Sequence, residues 1–445
     1  MTKSSERRHR MKLFTKILSS VLLVIAMTVP LALWPMSVSA LEDPVVSNTK
    51  SVYLYNLENK QAVYKLNADE KVYPTSTVKL MTGIVALETL KDRLDEKVTV
   101  TAEMLSYVSG NNIGLDAGET VKIRDMLGAM LVNGANDAAY VLALTAADSL
   151  EDFVLLMNKR ANELGAHSTH YTNPTGMHDE AMVTTAQDTA IIALHAYNLE
   201  QFMDFAALLR YTVEETNMSS ALTVYNRNCL LSLYYETEYF YKNARGMNAG
   251  STYEGGYSVV TTATDGTLTY LCVVLGAEKV DDTIYSYVNA ANLLDWAFES
   301  FVYLDVLAPE QIMCEIPVTL ATGVDHVTLV ASDSLSVYLP ADTDIEKEIT
   351  FSWTTNTEQL QAPVKKGDLA GRVTVLYNGE PIGTSDLIAT ADIERSDMLY
   401  TLHNISEFTK SKFFIATIIC IVIFSIAYVF GKAFILGRRN RKRYR

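Results

Sequence analysis

Cysteine is scarce in this chain of 445 residues: only Cys229, Cys272, Cys314 and Cys420 are present. Cys420 falls in a long apolar run, and the other three cannot build a disulfide framework. His-Glu-x-x-His does not occur and no His/Cys spacing matches a zinc site, so neither a metal nor another cofactor is expected. The hydrolase elbow Gly-x-Ser-x-Gly is missing too, which removes the commonest sequence mark of a serine–histidine nucleophile. Positive charge is sparse except at the two ends. The formal charge is −15; residues 1–40 carry +5 and residues 432–445 carry +7, which leaves −27 on residues 41–431. So acidic a middle argues against nucleic acid as a partner and suits an extracellular or wall environment.

The ends carry targeting signals. Arg7, Arg8, Arg10, Lys12 and Lys16 precede an apolar run from Ile17 to Leu33, and Val38-Ser39-Ala40 closes the segment. That order reads as a cleaved secretory signal over residues 1–40, with a first membrane helix as the alternative. Near the other end, Phe413–Gly431 is apolar and uncharged, and with Ala433–Leu436 it makes a transmembrane helix over 413–436 long enough to cross a bilayer. Arg438, Arg439, Arg441, Lys442, Arg443 and Arg445 follow, so a tail at 437–445 is expected in the cytoplasm and the bulk of the chain outside it.

The richest stretch is Tyr73-Pro74-Thr75-Ser76-Thr77-Val78-Lys79-Leu80-Met81-Thr82. Pro74 suits a helix entry, where its missing N–H costs nothing. Beyond it Val78, Leu80, Met81, Ile84, Val85, Leu87 and Leu90 are apolar nearly all round, which predicts a helix running through a core. Residues three apart share a helical face, so Lys79 can lie beside the Ser76 hydroxyl. A lysine in apolar surroundings loses basicity and can accept the serine proton. Ser47 and Lys50 repeat the spacing, but in a polar run with no helix to bring them together. His167, His170 and His178 cluster around Asn173-Pro174-Thr175-Gly176 and leave a Ser–His–Asp triad as an alternative.

Paired strands are expected over 51–55 and 62–66, helices over 123–132, 136–148, 153–164 and 184–199, strands over 257–263 and 268–275, and a helix over 290–303. From about 315 to 393 helical periodicity disappears and short strand-like pieces alternate with turns, which predicts a small all-β domain.

In this order the motifs resemble the low-molecular-mass penicillin-binding proteins, the serine-type D-Ala-D-Ala carboxypeptidases. In that family Ser-x-x-Lys is followed by Ser-x-Asn between two helices and Lys-Thr-Gly on a strand. Ser76–Lys79, Gly114–Glu119, Asn136–Ala139, Asn173–Gly176, Thr184–Asp188, Gly255–Tyr257 and Ala362–Asp368 each resemble a family segment. The resemblance implies an α/β (α+β) serine transpeptidase/β-lactamase-like domain over 41–305, with a five-stranded-type antiparallel sheet flanked by helices. A small β-rich domain over 306–395, a connector over 396–412 and the transmembrane helix would complete the chain. It implies Ser76 as nucleophile, Lys79 as base and Asn136 as a residue that positions the substrate peptide. Backbone N–H groups of Ser76 and Ser251 would form the oxyanion hole, Gly250 would let the substrate approach, and Asn248 and Thr252 would line it. The implied partners are peptidoglycan stem peptides and β-lactams.

Two motifs depart from the family. Gly134 stands where the family has the serine of Ser-x-Asn, and Asn248-Ala249-Gly250 falls where it has Lys-Thr-Gly. Each lost hydrogen bond to a charged group is worth about 1.5–3 kcal/mol, so two or three could cost on the order of 10³-fold in rate. Arg245 and Lys242 lie near in sequence, but an extended strand gives Arg245 the opposite parity to Asn248. The expected function is therefore a membrane-anchored carboxypeptidase that removes the terminal D-Ala. The alternative is a catalytically impaired wall-binding or scaffolding protein on the same fold. A β-lactamase is a third reading, which lacks a glutamate to activate water.

Overall fold

The structure, a computed structural model, describes residues 43–199 and 201–441. The expected signal over 1–40 lies outside the described residues. Everything below concerns the unit that begins at Ser47.

Two strands, β1 (Ser51–Asn56) and β2 (Gln61–Leu66), form a hairpin. Its turn is closed by the Asn56 side chain, whose Oδ1 accepts the Asn59 N–H at 2.7 Å. Three later strands, β3 (Ala244–Thr252), β4 (Gly256–Thr264) and β5 (Thr269–Ala277), complete a five-stranded sheet in the order β2-β1-β5-β4-β3. Every neighbouring pair is antiparallel. The arrangement leaves β3 as an edge with half of its backbone groups unpaired.

The alternation of β5 shows how the sheet is covered on both faces. Leu271, Val273 and Leu275 point into a large apolar cluster built mainly from helices. Tyr270, one register step away, points oppositely and donates its hydroxyl to the Ala297 carbonyl at 3.1 Å. That residue lies on helix α6 (Tyr285–Ser300), which covers the second face.

The helical side consists of α1 (Val78–Leu90), α2 (Ile123–Gly128), α3 (Asn136–Ala146), α4 (Leu150–Leu164) and α5 (Ala186–Asn198). Helix α1 sits at the centre: Val78, Leu80, Met81, Ile84 and Ala86 are fully buried, as its all-round apolar sequence requires. Burying each large aliphatic side chain contributes about 1.5–3 kcal/mol, which explains why this helix can also carry a lysine inward. Ser149 caps α4 and Thr185 caps α5, each accepting the N–H three residues on.

The helix expected over 123–132 is regular only to Gly128; Ala129–Asn133 then winds more widely and ends at Gly134 in a left-handed conformation, φ +74°. The helix expected over 290–303 begins earlier, at Tyr285, and stops at Ser300. Its last three residues join the strand Phe301–Leu307, because Phe301, Val302 and Tyr303 find partners in Pro340, Leu339 and Tyr338. That strand crosses residue 305. The small β-rich part has a six-stranded sheet in the spatial order Ile349–Thr355, Leu369–Tyr377, Glu380–Ala389, His326–Ala331, Ile312–Thr319, Leu360–Gln361. Tyr338, on the strand Leu335–Pro340 that pairs with Phe301–Leu307, meets Tyr270 of β5 hydroxyl to hydroxyl at 2.9 Å.

The connector contains a helix, Asp397–Lys410, capped by Ser396 and carrying exposed Met398, Leu399, Leu402, Ile405 and Phe408. Ser411 breaks it, and a last helix spans Lys412–Arg441. Residues Lys412–Ala433 of that helix are long and apolar enough to cross a membrane.

Candidate active site

Ser76 lies in a short 3₁₀ turn, Thr75–Thr77, that feeds α1, with Pro74 at its start. The turn is pinned by the Thr77 hydroxyl, which donates to the Pro74 carbonyl at 2.6 Å. Lys79 follows one helical turn on, only 1 % exposed. Its Nζ stands 3.5 Å from Ser76 Oγ and donates to the Thr175 carbonyl at 2.7 Å. Burial disfavours the ammonium, and the Lys79 pKa falls from 10.5 to about 7. A free amine beside a serine hydroxyl is a base ready to take its proton.

Strand β3 forms the opposite wall. A Cβ on Gly250 would lie 2.4 Å from Ser76 Oγ, so only glycine lets the strand pass this close to the hydroxyl. Asn248 is two residues earlier, on the same face of the strand. It is 4 % exposed, and its Oδ1 has no hydrogen-bond partner among the described residues. Ser251 is exposed, and the Thr252 hydroxyl accepts the Gly255 N–H at 3.0 Å to close the β3–β4 turn. Arg245 does not reach this face: it is exposed beside a bulge in β3, and its guanidinium donates to the Ala244 carbonyl at 3.0 Å.

Asn136 opens α3. Its Nδ2 donates to the Ser109 carbonyl at 2.5 Å, while its Oδ1 is buried without a partner. Asp137 beside it accepts from the backbone N–H groups of Ile113 and Gly114 at 3.0 Å and of Leu115 at 3.2 Å. Burial raises the Asp137 pKa and these backbone donors oppose the rise. The loop 110–119 is thus tied to α3 by one carboxylate. Gly134 makes no close approach on the site; the nearest atom to a Cβ there would be Asn111 Nδ2 at 3.9 Å.

The structure therefore brings Ser76 and Lys79 together and sets Gly250 against the Ser76 hydroxyl. Asn248 and Asn136 each carry a buried amide oxygen that meets no hydrogen-bond partner among the described residues. Among the described residues no histidine hydrogen-bonds Ser76: His167 meets Asn162 Oδ1 and His178 packs edge-on against Tyr73. Sequence reasoning missed two groups here. Asn111 is held between the Asn133 carbonyl and the Arg227 guanidinium, which donates to its Oδ1 at 2.9 Å. Thr82 donates to the Pro174 carbonyl at 2.7 Å. Its spacing of three from Lys79, repeating that of Lys79 from Ser76, was the available signal.

A Ser-x-x-Lys pair at the entry to a central helix, its lysine buried and its serine facing the edge of an antiparallel five-stranded sheet, defines a penicillin-binding-protein-type serine transpeptidase fold. The chain resembles the crystal structure of penicillin-binding protein 5 from Haemophilus influenzae at a TM-score of 0.56 and 25% identity, over 80% of this chain and 100% of that one. Residues 38–279 match the D-alanyl-D-alanine carboxypeptidase family and residues 315–395 match the C-terminal domain of penicillin-binding protein 5. The chain belongs to the D-alanyl-D-alanine carboxypeptidase family. Among its relatives are the carboxypeptidase DacC of Escherichia coli, 30% identical over 74% of this chain and 80% of that protein, and DacF of Bacillus subtilis, 26% identical over 82% and 90%.

Proposed function

We propose that this protein removes the terminal D-alanine from peptidoglycan stem peptides through an acyl-enzyme on Ser76. The observation that carries the reading is the Lys79 amine, buried, pushed down to about 7 and 3.5 Å from the Ser76 hydroxyl. The substrate strand lies along the free edge of β3, passing over Gly250. Lys79 accepts the hydroxyl proton as Ser76 Oγ bonds to the carbonyl carbon of the penultimate residue. The backbone N–H groups of Ser76 and Ser251 hold the oxyanion. The tetrahedral intermediate collapses, the C–N bond breaks, and the departing amine of D-alanine takes a proton. Water then attacks the ester, and the proton it loses returns to Ser76 Oγ. Asn136 binds the peptide through its amide, whose unpartnered Oδ1 supports this role.

Asn248 takes the place of the family's lysine and offers the substrate's terminal carboxylate a neutral amide. A neutral amide brings no charge of its own to the carboxylate, so weaker substrate binding than with a lysine is expected. β-Lactams would acylate the same serine. Residues 412–433 anchor the chain, with the basic tail in the cytoplasm and the catalytic part outside. The replacements at Gly134, Asn248 and Ala249 favour the second reading, a wall-binding scaffold. A costly buried lysine poised beside a serine favours the enzyme, since a scaffold gains nothing from it.

The test is release of D-alanine from a soluble pentapeptide ending in D-Ala-D-Ala by the detergent-solubilised protein, with Ser76→Ala beside it. Release by the parent alone supports the reading; no release by either, at high enzyme and long incubation, turns the choice to the scaffold.

A further inference from the structure

Ser76, Lys79 and Thr82 are spaced by three along one face, and Lys79 and Thr82 look onto the turn Asn173–Gly176. The turn meets them with its backbone. The Thr175 carbonyl accepts from Lys79 Nζ at 2.7 Å and the Pro174 carbonyl accepts from the Thr82 hydroxyl at 2.7 Å. Gly176, at φ +81°, lies so near Thr75 that a Cβ would fall 1.7 Å from the Thr75 carbonyl oxygen. One turn thus touches the nucleophile's neighbour and the base together.

Within the turn, the Asn173 side chain makes most of the bonds that keep this shape. Asn173 Oδ1 accepts from the Thr175 N–H at 3.1 Å, the Thr175 hydroxyl at 3.0 Å and the Gly176 N–H at 2.9 Å, while its Nδ2 donates to the Met177 carbonyl at 2.9 Å. The consequence falls on Lys79. A neutral amine has two N–H bonds and one lone pair, and committing an N–H to the Thr175 carbonyl restricts where that lone pair can point. Without this anchor no bond to the turn would set the direction of the lone pair.

We propose that Thr82 and Asn173 are positioning residues for the base: together they fix the turn so that the Thr175 carbonyl holds the Lys79 amine toward Ser76. The proposal rests on the reading of Lys79 as the base. Neither residue touches substrate in it. A shift of the amine by about 1 Å is enough to cost on the order of 10²-fold in the proton-transfer step.

The carbonyl cannot be altered by substitution, so its two supports are. Thr82→Val keeps the shape and deletes the hydroxyl; Thr82→Ser keeps the hydroxyl and deletes a methyl group from a fully buried site. Acylation of the full chain in detergent by a fluorescent penicillin would be resolved into the binding constant and the first-order acylation rate. Thr82→Val and Asn173→Ala should lower the acylation rate by about 10- to 100-fold while binding changes less than about threefold. Thr82→Ser should acylate within about threefold of the parent although its melting temperature falls, because it restores the donor to Pro174.

A Thr82→Val protein that acylates at the parent's rate overturns the clamp. So does a Thr82→Ser protein as slow as the valine variant, since packing alone would then explain both. If Thr82→Val does not fold, an unchanged acylation rate in Asn173→Ala does the same. A parent that forms no adduct overturns the carboxypeptidase reading itself and the clamp with it, which separates the two failures.

Discussion

Lys79 costs the protein stability, and the cost depends on pH in a way that can be measured. Burial lowers its pKa from 10.5 to about 7, a difference worth about 5 kcal/mol between the two protonation states. The unfolded chain keeps the proton up to about pH 10.5, whereas the folded protein gives it up near pH 7. Between these values the unfolded state binds more protons, so stability rises with pH by up to about 1.4 kcal/mol per unit. Below pH 7 both states are protonated and the full burial penalty is present. Lys79→Met fills the same space without the charge. It also loses the donor to the Thr175 carbonyl, at a cost of about 1–3 kcal/mol. At pH 6 the variant should therefore be the more stable by about 2–4 kcal/mol. From pH 6 to pH 9 the parent should recover about 3 kcal/mol of that gap. Urea unfolding of both proteins in detergent across this range measures it, and taking the difference removes the contribution of other titrating groups. Parallel pH profiles, or a variant less stable than the parent at pH 6, would refute the argument that the amine is buried and largely uncharged.

Further expectations follow from the same geometry. Acylation by a penicillin should rise as pH increases through about 7 and then level off, since the free amine is the active form; Lys79→Arg, which stays protonated, should lose at least about 10³-fold at every pH. Gly250→Ala should reduce acylation by on the order of 10²-fold, measured by stopped-flow fluorescence, because its Cβ would enter the space 2.4 Å from Ser76 Oγ. Asp137→Asn removes a carboxylate acceptor from three loop N–H groups and should lower stability by about 2–4 kcal/mol in denaturant unfolding, with the second motif loosened. Restoring Asn248→Lys together with Ala249→Thr should raise kcat/KM for a D-Ala-D-Ala peptide by about 10-fold or more, since each contact to a charged carboxylate is worth about 1.5–3 kcal/mol.

How much of this was legible in the sequence depended on whether the relevant spacing was local. The β1–β2 hairpin could be read from two short apolar runs about a turn, and α1 from its unbroken apolar faces. The Ser76–Lys79 pair followed from helical periodicity alone. Its meaning did not: Ser47 and Lys50 share the spacing, and only the fold shows that Ser76 faces β3. The turn Asn173–Gly176 could be seen as a turn, but the hydrogen bond of its Thr175 carbonyl to a lysine 96 residues earlier is a product of tertiary packing. The end of α6 is not legible locally, because Phe301–Tyr303 are compatible with helix and their strand is decided by partners at 338–340. The widened turn at Ala129–Asn133 has no local signature either; Gly134 marks only where it stops.

The central claim, that Ser76 with Lys79 is a working acylation pair despite the altered motifs, is tested most directly by intact mass. The detergent-solubilised protein would be held with a large excess of a penicillin, with Ser76→Ala treated in parallel. One added penicilloyl mass is expected on the parent and none on the variant. The same mass added to both, or no adduct on either, would contradict it.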